Sequence, residues 1–100
     1  MVDFLKKANI SDEVISKMKE EYSDSTLFDL SCNEDDCLKI INYLKELGIN
    51  NIDDLLLYEI EVFKLKFNDL VKKLSKFNIP LFVNIINEEY VSIENLFRVD

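Results

Sequence analysis

The sequence predicts a single all-α domain over residues 1–100, and three observations carry that prediction. One Gly (Gly48) and one Pro (Pro80) punctuate the whole chain, whereas an all-β domain needs Gly- and Pro-rich turns every few residues. Apolar residues recur at the three- and four-residue spacing of a helix face rather than in strict alternation. Cap residues stand at the ends of several of these periodic segments. An apolar fraction of 48% beside 32% charged residues is ordinary for a globular domain, and a chain of this length can bury one core without metal or disulfide staples.

Residues 2–8 read as a first short helix with Phe4 and Leu5 inward. Asn9 stands where a helix C-terminus tolerates a left-handed residue, and apolar Ile10 follows it, as is common at such caps. Ser11 is a good N-cap for a second helix, because its hydroxyl accepts from first-turn amides, while Asp12 and Glu13 suit the positive end of the dipole. Val14, Ile15, Met18 and Tyr22 share one face of that helix. Residues 23–26 break the pattern, and Leu27, Phe28 and Leu30 read as one short helical turn.

The clearest element follows. Asn33 caps it, Glu34, Asp35 and Asp36 fill its first turn, and Gly48 stands just past its end. Cys37, Ile40, Ile41, Leu44 and Leu47 fall in phase on one face, so Cys37 is expected in the core as a small hydrophobe. Asn50 or Asn51 opens a short helix through Tyr58, and residues 59–65 form a further turn or two. A longer helix is expected over about residues 68–77, with Leu70, Val71, Leu74 and Phe77 on one face and Lys72, Lys73 and Lys76 opposite. Pro80 begins the next helix where its missing amide costs nothing. Ser92 is expected to cap a last turn holding Ile93, Leu96 and Phe97.

From Gly48 onward the chain repeats with a period of 30 residues. Ile49, Ile52, Leu56, Ile60, Phe63 and Phe67 align with Ile79, Phe82, Ile86, Tyr90, Ile93 and Phe97. The tripeptides Ala8-Asn9-Ile10, Leu47-Gly48-Ile49 and Phe77-Asn78-Ile79 each place a residue that tolerates the left-handed region before an Ile. Periods of this size mark helical repeats, in which each unit buries its apolar face by stacking on the next.

The segment 44–79 carries Leu-x-x-Leu-Gly-Ile, then Ile-Asp-Asp-Leu-Leu-Leu, then Phe63, Leu70, Leu74 and Phe77-Asn78-Ile79. In this it resembles a repeat of the mitochondrial transcription termination factor (mTERF) family. The resemblance implies two helices and a 3₁₀-like turn per unit, about two to two and a half units between Ile10 and Phe97, stacked into a small right-handed or irregular helical bundle. It also implies nucleic-acid binding, although Glu59 and Ile60 stand near the place of the family's common Pro and a broad basic surface is missing. The run Leu-x-x-Leu-Gly-Ile-x-x-Ile-Asp-Asp-Leu is similar as well to the C-terminal domain of the bacterial RNA polymerase α subunit. That family holds DNA with a Gly-containing hairpin, for which Gly48 alone does not suffice.

Catalytic constellations are scarce. The chain has no His, so neither a Ser or Cys nucleophile with a His base nor a His-bearing metal site can be assembled. Cys32 and Cys37 alone cannot make a four-ligand zinc site. Asp29, Ser31 and Asn33 mimic the opening of a calcium loop, but the sixth position is Glu34 and the twelfth Ile40, where that loop needs Gly and Glu. The acid pairs Asp35 with Asp36, Asp53 with Asp54, and Glu88 with Glu89 are sequence neighbours, which diverge by about 100° on a helix and read as dipole-compensating helix starts. The expectation is a non-enzymatic protein without cofactor or metal. No apolar stretch approaches the ~18 residues of a membrane span, and the N-terminus has no secretory h-region, so a cytoplasmic location is expected.

The net charge is −8, unevenly spread. Residues 1–40 carry 5 Lys against 10 acids, residues 41–80 carry 6 Lys against 6 acids, and residues 81–100 carry 1 Arg against 4 acids. Such a field disfavours nucleic acid and anionic membranes as partners. The leading expectation is therefore a small acidic adaptor or regulatory module that binds another protein, with Phe82, Tyr90 and Phe97 as candidate contacts. The alternative is weak nucleic-acid binding through Lys64, Lys66, Lys72, Lys73 and Lys76, since residues 64–77 hold five Lys and one acid. Lysines attract phosphate without the bidentate base readout of Arg, so that binding would be non-specific and steeply salt-dependent.

Overall fold

Short-range capping chemistry opens three of the helices. Ser11, Ser23 and Asn78 each accept the backbone N–H three residues on, from Val14, Thr26 and Leu81, all at 3.2 Å. A computed structural model describes residues 1–98, and over these the chain is helical with no strand. A 3₁₀ turn (Asp3–Ala8) precedes α1 (Asp12–Glu21), α2 (Asp24–Ser31), α3 (Glu34–Leu47) and α4 (Ile52–Tyr58). A middle 3₁₀ turn (Ile60–Lys64) then leads to α5 (Phe67–Leu74), α6 (Ile79–Glu88) and α7 (Ser92–Arg98). Among the described residues no helix is long and apolar enough to cross a membrane.

Helix α3 is the axis of the core. Its Cys37, Ile40, Ile41 and Leu44 are fully buried, and it packs against both 3₁₀ turns, α2, α4 and α5. Helix α1 lies on α4, and α6 pairs with α7. The resulting body has a radius of gyration of 12.9 Å, close to the ~13 Å expected of a 100-residue domain.

Two junctions share one geometry. Asn9 (φ 63°) and Gly48 (φ 106°) are both left-handed. Ile10 N–H donates to the Leu5 carbonyl at 3.2 Å and Ile49 N–H to that of Leu44 at 3.0 Å, while Asn9 and Gly48 donate to Lys6 and Lys45. This is the Schellman arrangement, which satisfies the last helical carbonyls and turns an apolar residue inward. A Cβ on Gly48 would meet Val83 Cγ1 at an ordinary 3.5 Å, so strain rather than crowding opposes substitution. Gly48→Val is therefore expected to lower unfolding free energy by at least ~1 kcal/mol in urea titrations, because a β-branched residue is strained at positive φ.

Long-range polar clamps tie distant segments together. Asn87 accepts from Asn50 N–H at 2.9 Å and donates to the Gly48 carbonyl at 3.0 Å, and Asn51 donates to the Ile86 carbonyl at 2.8 Å. Lys45 donates to the Ala8 carbonyl at 2.6 Å. Each clamp satisfies a backbone group at a helix end that the helix itself leaves unpaired.

Several expectations need correction. Residues 23–26 are not a break, because the Ser23 hydroxyl caps a full two-turn helix ahead of Leu27. Helix α5 ends at Leu74 rather than near Phe77, closing in tight turns in which Lys76 and Phe77 bond back to Lys73 and Leu74. Asn78 is not left-handed but extended (φ −72°, ψ 109°), since its side chain is occupied in capping α6. The third tripeptide is thus built differently from the first two. Ser92 is the first residue of α7 rather than the one before it. Asn33 and Asn51 sit at the cap positions of α3 and α4, yet neither side chain caps; both turn toward distant backbone carbonyls.

Candidate functional site

The five lysines do not form one free basic patch. Lys64 lies 3.4 Å from Glu61 and 3.9 Å from Asp29, and Lys66 lies 3.6 Å from Asp36 while donating to Asn33 Oδ1 at 3.0 Å. Lys73 is half-buried. Lys72 and Lys76 remain exposed on the outer side of α5 and just beyond it.

The three candidate contact residues also separate. Phe82 is a core side chain at 2% exposure, stacked between Phe77 at 5.8 Å and Phe97 at 6.3 Å, so it cannot meet a partner without opening the domain. Tyr90 is half-buried and stacks on Tyr58 at 5.9 Å. Tyr58, which the sequence reading did not single out, is 57% exposed. Phe97 is half-buried and enters the wall of a cleft.

That cleft, about 360 Å³ and open to solvent, is lined by Val62, Leu65 and Phe97 with Glu59, Glu61, Glu94 and Lys73 around them. The middle 3₁₀ turn makes its floor. Ile60, Val62 and Phe63 of this turn are buried, while Glu61 and the flanking Glu59 and Leu65 reach the cleft beside Val62. Asn33, the one buried polar residue among those described, fixes this turn: its Nδ2 donates to the Phe63 carbonyl at 3.0 Å and the Leu65 carbonyl at 2.8 Å.

A negative field extends from the cleft across neighbouring tyrosines. The Tyr22 hydroxyl donates to the Leu56 carbonyl at 2.8 Å and to that of Leu57. Burial first, then the carboxylates of Glu21, Glu59 and Glu61 and the Tyr58 ring, push its pKa up to about 12. The Tyr90 phenol is also raised, by desolvation first and then by Asp54, Tyr58 and Glu59. Glu59 therefore belongs both to the cleft and to the tyrosine face.

Other reactive groups are isolated. Cys32 is exposed and Cys37 buried, and burial, with Glu34 second, pushes the Cys37 thiol up to about 12, leaving it protonated and a poor nucleophile. Among the described residues no group of three or more His, Cys, Asp or Glu is placed to hold a metal ion. A second, smaller groove of about 80 Å³ runs between Phe77, Leu81, Ile85 and Leu96.

Sequence reasoning missed Val62, Leu65, Glu59, Glu61 and Glu94. Nothing in the sequence signals that α7 brings Glu94 and Phe97 to the same place. Compared with protein-family models, curated proteins and solved structures, the chain finds no match.

Proposed function

We propose that this chain is a non-catalytic, cytosolic protein-binding module, built from stacked mTERF-like helix–helix–turn units, that meets its partner at the cleft floored by the middle 3₁₀ turn. The repeat reading is supported by pairing α3, α4 and the middle 3₁₀ turn with α5, α6 and α7. In that pairing Ile52, Leu56 and Phe63 and their counterparts Phe82, Ile86 and Ile93 are all buried. The identical Asn9 and Gly48 junctions extend it toward the N-terminal 3₁₀ turn and α1.

The single observation that carries the binding role is the cleft: half-buried Leu65 and Phe97 over a buried Val62, open to solvent and rimmed by charge. Beside it stands a largely exposed Tyr58. Aromatic anchors beside a concave apolar surface with a polar rim are the composition of interface centres.

A photo-crosslinking amino acid placed at Glu61, whose side chain is exposed, tests the reading in the native cell. A discrete protein adduct is expected from Glu61 and none from the same probe at Lys72. Adducts from Lys72 alone would overturn the reading. A nucleic-acid role rests on exposed Lys72 and Lys76 and competes with it. Fluorescence anisotropy with labelled duplex at about 50 mM salt separates the two: no binding is expected, whereas binding abolished by Lys72→Glu with Lys76→Glu would replace the first reading by the second.

A further inference from the structure

Independently of the cleft reading, we infer that the outer face of α6 joins two copies of this chain, the two helices lying antiparallel across a twofold axis near Val83.

Helix α6 is apolar on both sides. Phe82 and Ile86 go into the core, while Leu81 and Ile85, one turn apart, share the outward stripe. Leu81 is 57% exposed and Ile85 is half-buried. Along that stripe runs the groove of about 80 Å³ lined by Phe77, Leu81, Ile85 and Leu96. It is far below the ~300–1,000 Å³ of a small-molecule site and suits an aliphatic side chain. A projecting apolar residue beside a groove is the self-complementary pattern that a twofold contact needs, because each copy then offers what the other takes. Leu81 of one copy enters the groove of the other beside Ile85, and symmetry forms the reverse contact.

Charge selects a second copy and fixes its direction. Each copy carries a net −8, so two copies repel over most of their surface. Residues 77–87 are the longest uncharged run in the chain, bounded by Lys76 before it and by Glu88 and Glu89 after it. All three bounding residues are exposed. Antiparallel pairing sets the Lys76 end of one helix against the Glu88 end of the other, twice over, and brings opposite ends of the two helix dipoles together. Parallel pairing would set like charges together at both ends. A partner of one uniform charge satisfies only one end of this face, whereas a second copy satisfies both. The 10 residues of α6 span about 15 Å. The contact is therefore at the small end of specific interfaces, and the dimer dissociates at about micromolar concentrations or above.

Sedimentation velocity on the full chain from about 5 to 500 μM reads this equilibrium. A monomer that becomes a dimer as concentration rises is expected. Leu81→Asp should weaken dimerisation at least ~10-fold. It should leave the fold intact, since Leu81 is exposed in the first turn of α6, where the dipole suits an acid. Lys76→Glu and Glu88→Lys should each weaken dimerisation about three- to tenfold, and the two together should return it to within about threefold of wild type. Glu20→Lys makes the same change in net charge at an exposed position on α1 and should stay within about twofold of wild type. Circular dichroism and urea midpoints confirm that each variant folds. A monomer throughout, a dimer that survives Leu81→Asp, or a double charge variant no tighter than either single one would each overturn the inference. So would a photo-crosslinking amino acid at Leu81 that captures a different protein in the cell instead of a second copy.

Discussion

Truncating Phe63 to alanine is expected to lower the unfolding free energy by about 3–5 kcal/mol, the range for deleting a buried aromatic ring. Phe63 is among the largest fully buried side chains, at 0% exposure. It sits on the middle 3₁₀ turn, which packs at once against α2, α3 and α4. Because three elements meet there, none can move in to fill the space without leaving its own contacts, and the cavity term stays near its upper range. Against a total of ~5–15 kcal/mol for a small domain, the variant loses about a fifth or more of its stability. Phe28→Ala is the matched control: Phe28 is 57% exposed on α2, and its loss should change stability by less than ~0.5 kcal/mol. Urea denaturation followed by far-ultraviolet circular dichroism compares the two, and equal effects would mean that the middle turn is not packed as described.

Replacing Asn33 by alanine should cost about 2–4 kcal/mol, through polar groups rather than packing. Its amide donates to two carbonyls, Phe63 and Leu65, 30 and 32 residues away, and its oxygen accepts from Lys66. Removal leaves carbonyls at the end of the middle turn without their donor, and each such loss costs ~1–3 kcal/mol. Asn33→Asp keeps the size but substitutes an acceptor facing two acceptors, so it should be no better than alanine. Lys66→Ala removes only the exposed partner and should cost under ~1 kcal/mol. A wild-type urea midpoint for Asn33→Asp would show that the amide does not hold the turn. Because that turn carries Glu61 and leads into Leu65, Asn33→Ala should also weaken crosslinking from Glu61 beyond its effect on stability.

The 30-residue spacing aligns Ile49 with Ile79, and the two are packed differently. Ile49 is buried, whereas its counterpart Ile79 is only partly covered. The difference follows the junctions: the left-handed turn at Gly48 drives Ile49 inward, while the extended Asn78 admits Ile79 as the first residue of α6. A hydrophobic match in sequence records which residues are apolar and not how the backbone enters the next helix.

The sequence by itself determined the helix ends with local capping signals and which faces are apolar. Ser11, Gly48 and Asn9 act on amides and carbonyls within one turn of themselves, and the phase of Cys37, Ile40, Ile41 and Leu44 selects a buried face whatever covers it. Only the tertiary structure decided which charges are neutralised and where the surface opens. Lys64 and Lys66 read as part of a basic patch until α2 and α3 bring Asp29 and Asp36 beside them. Asn33 reads as a cap until the middle turn offers it two carbonyls. The cleft joins residues from 59 to 97 because α7 is folded back alongside that turn. Capping is set by covalent neighbours a few ångströms away along one chain, whereas pairing and concavity depend on distances between elements that share no local signal, and these exist only once the core has packed.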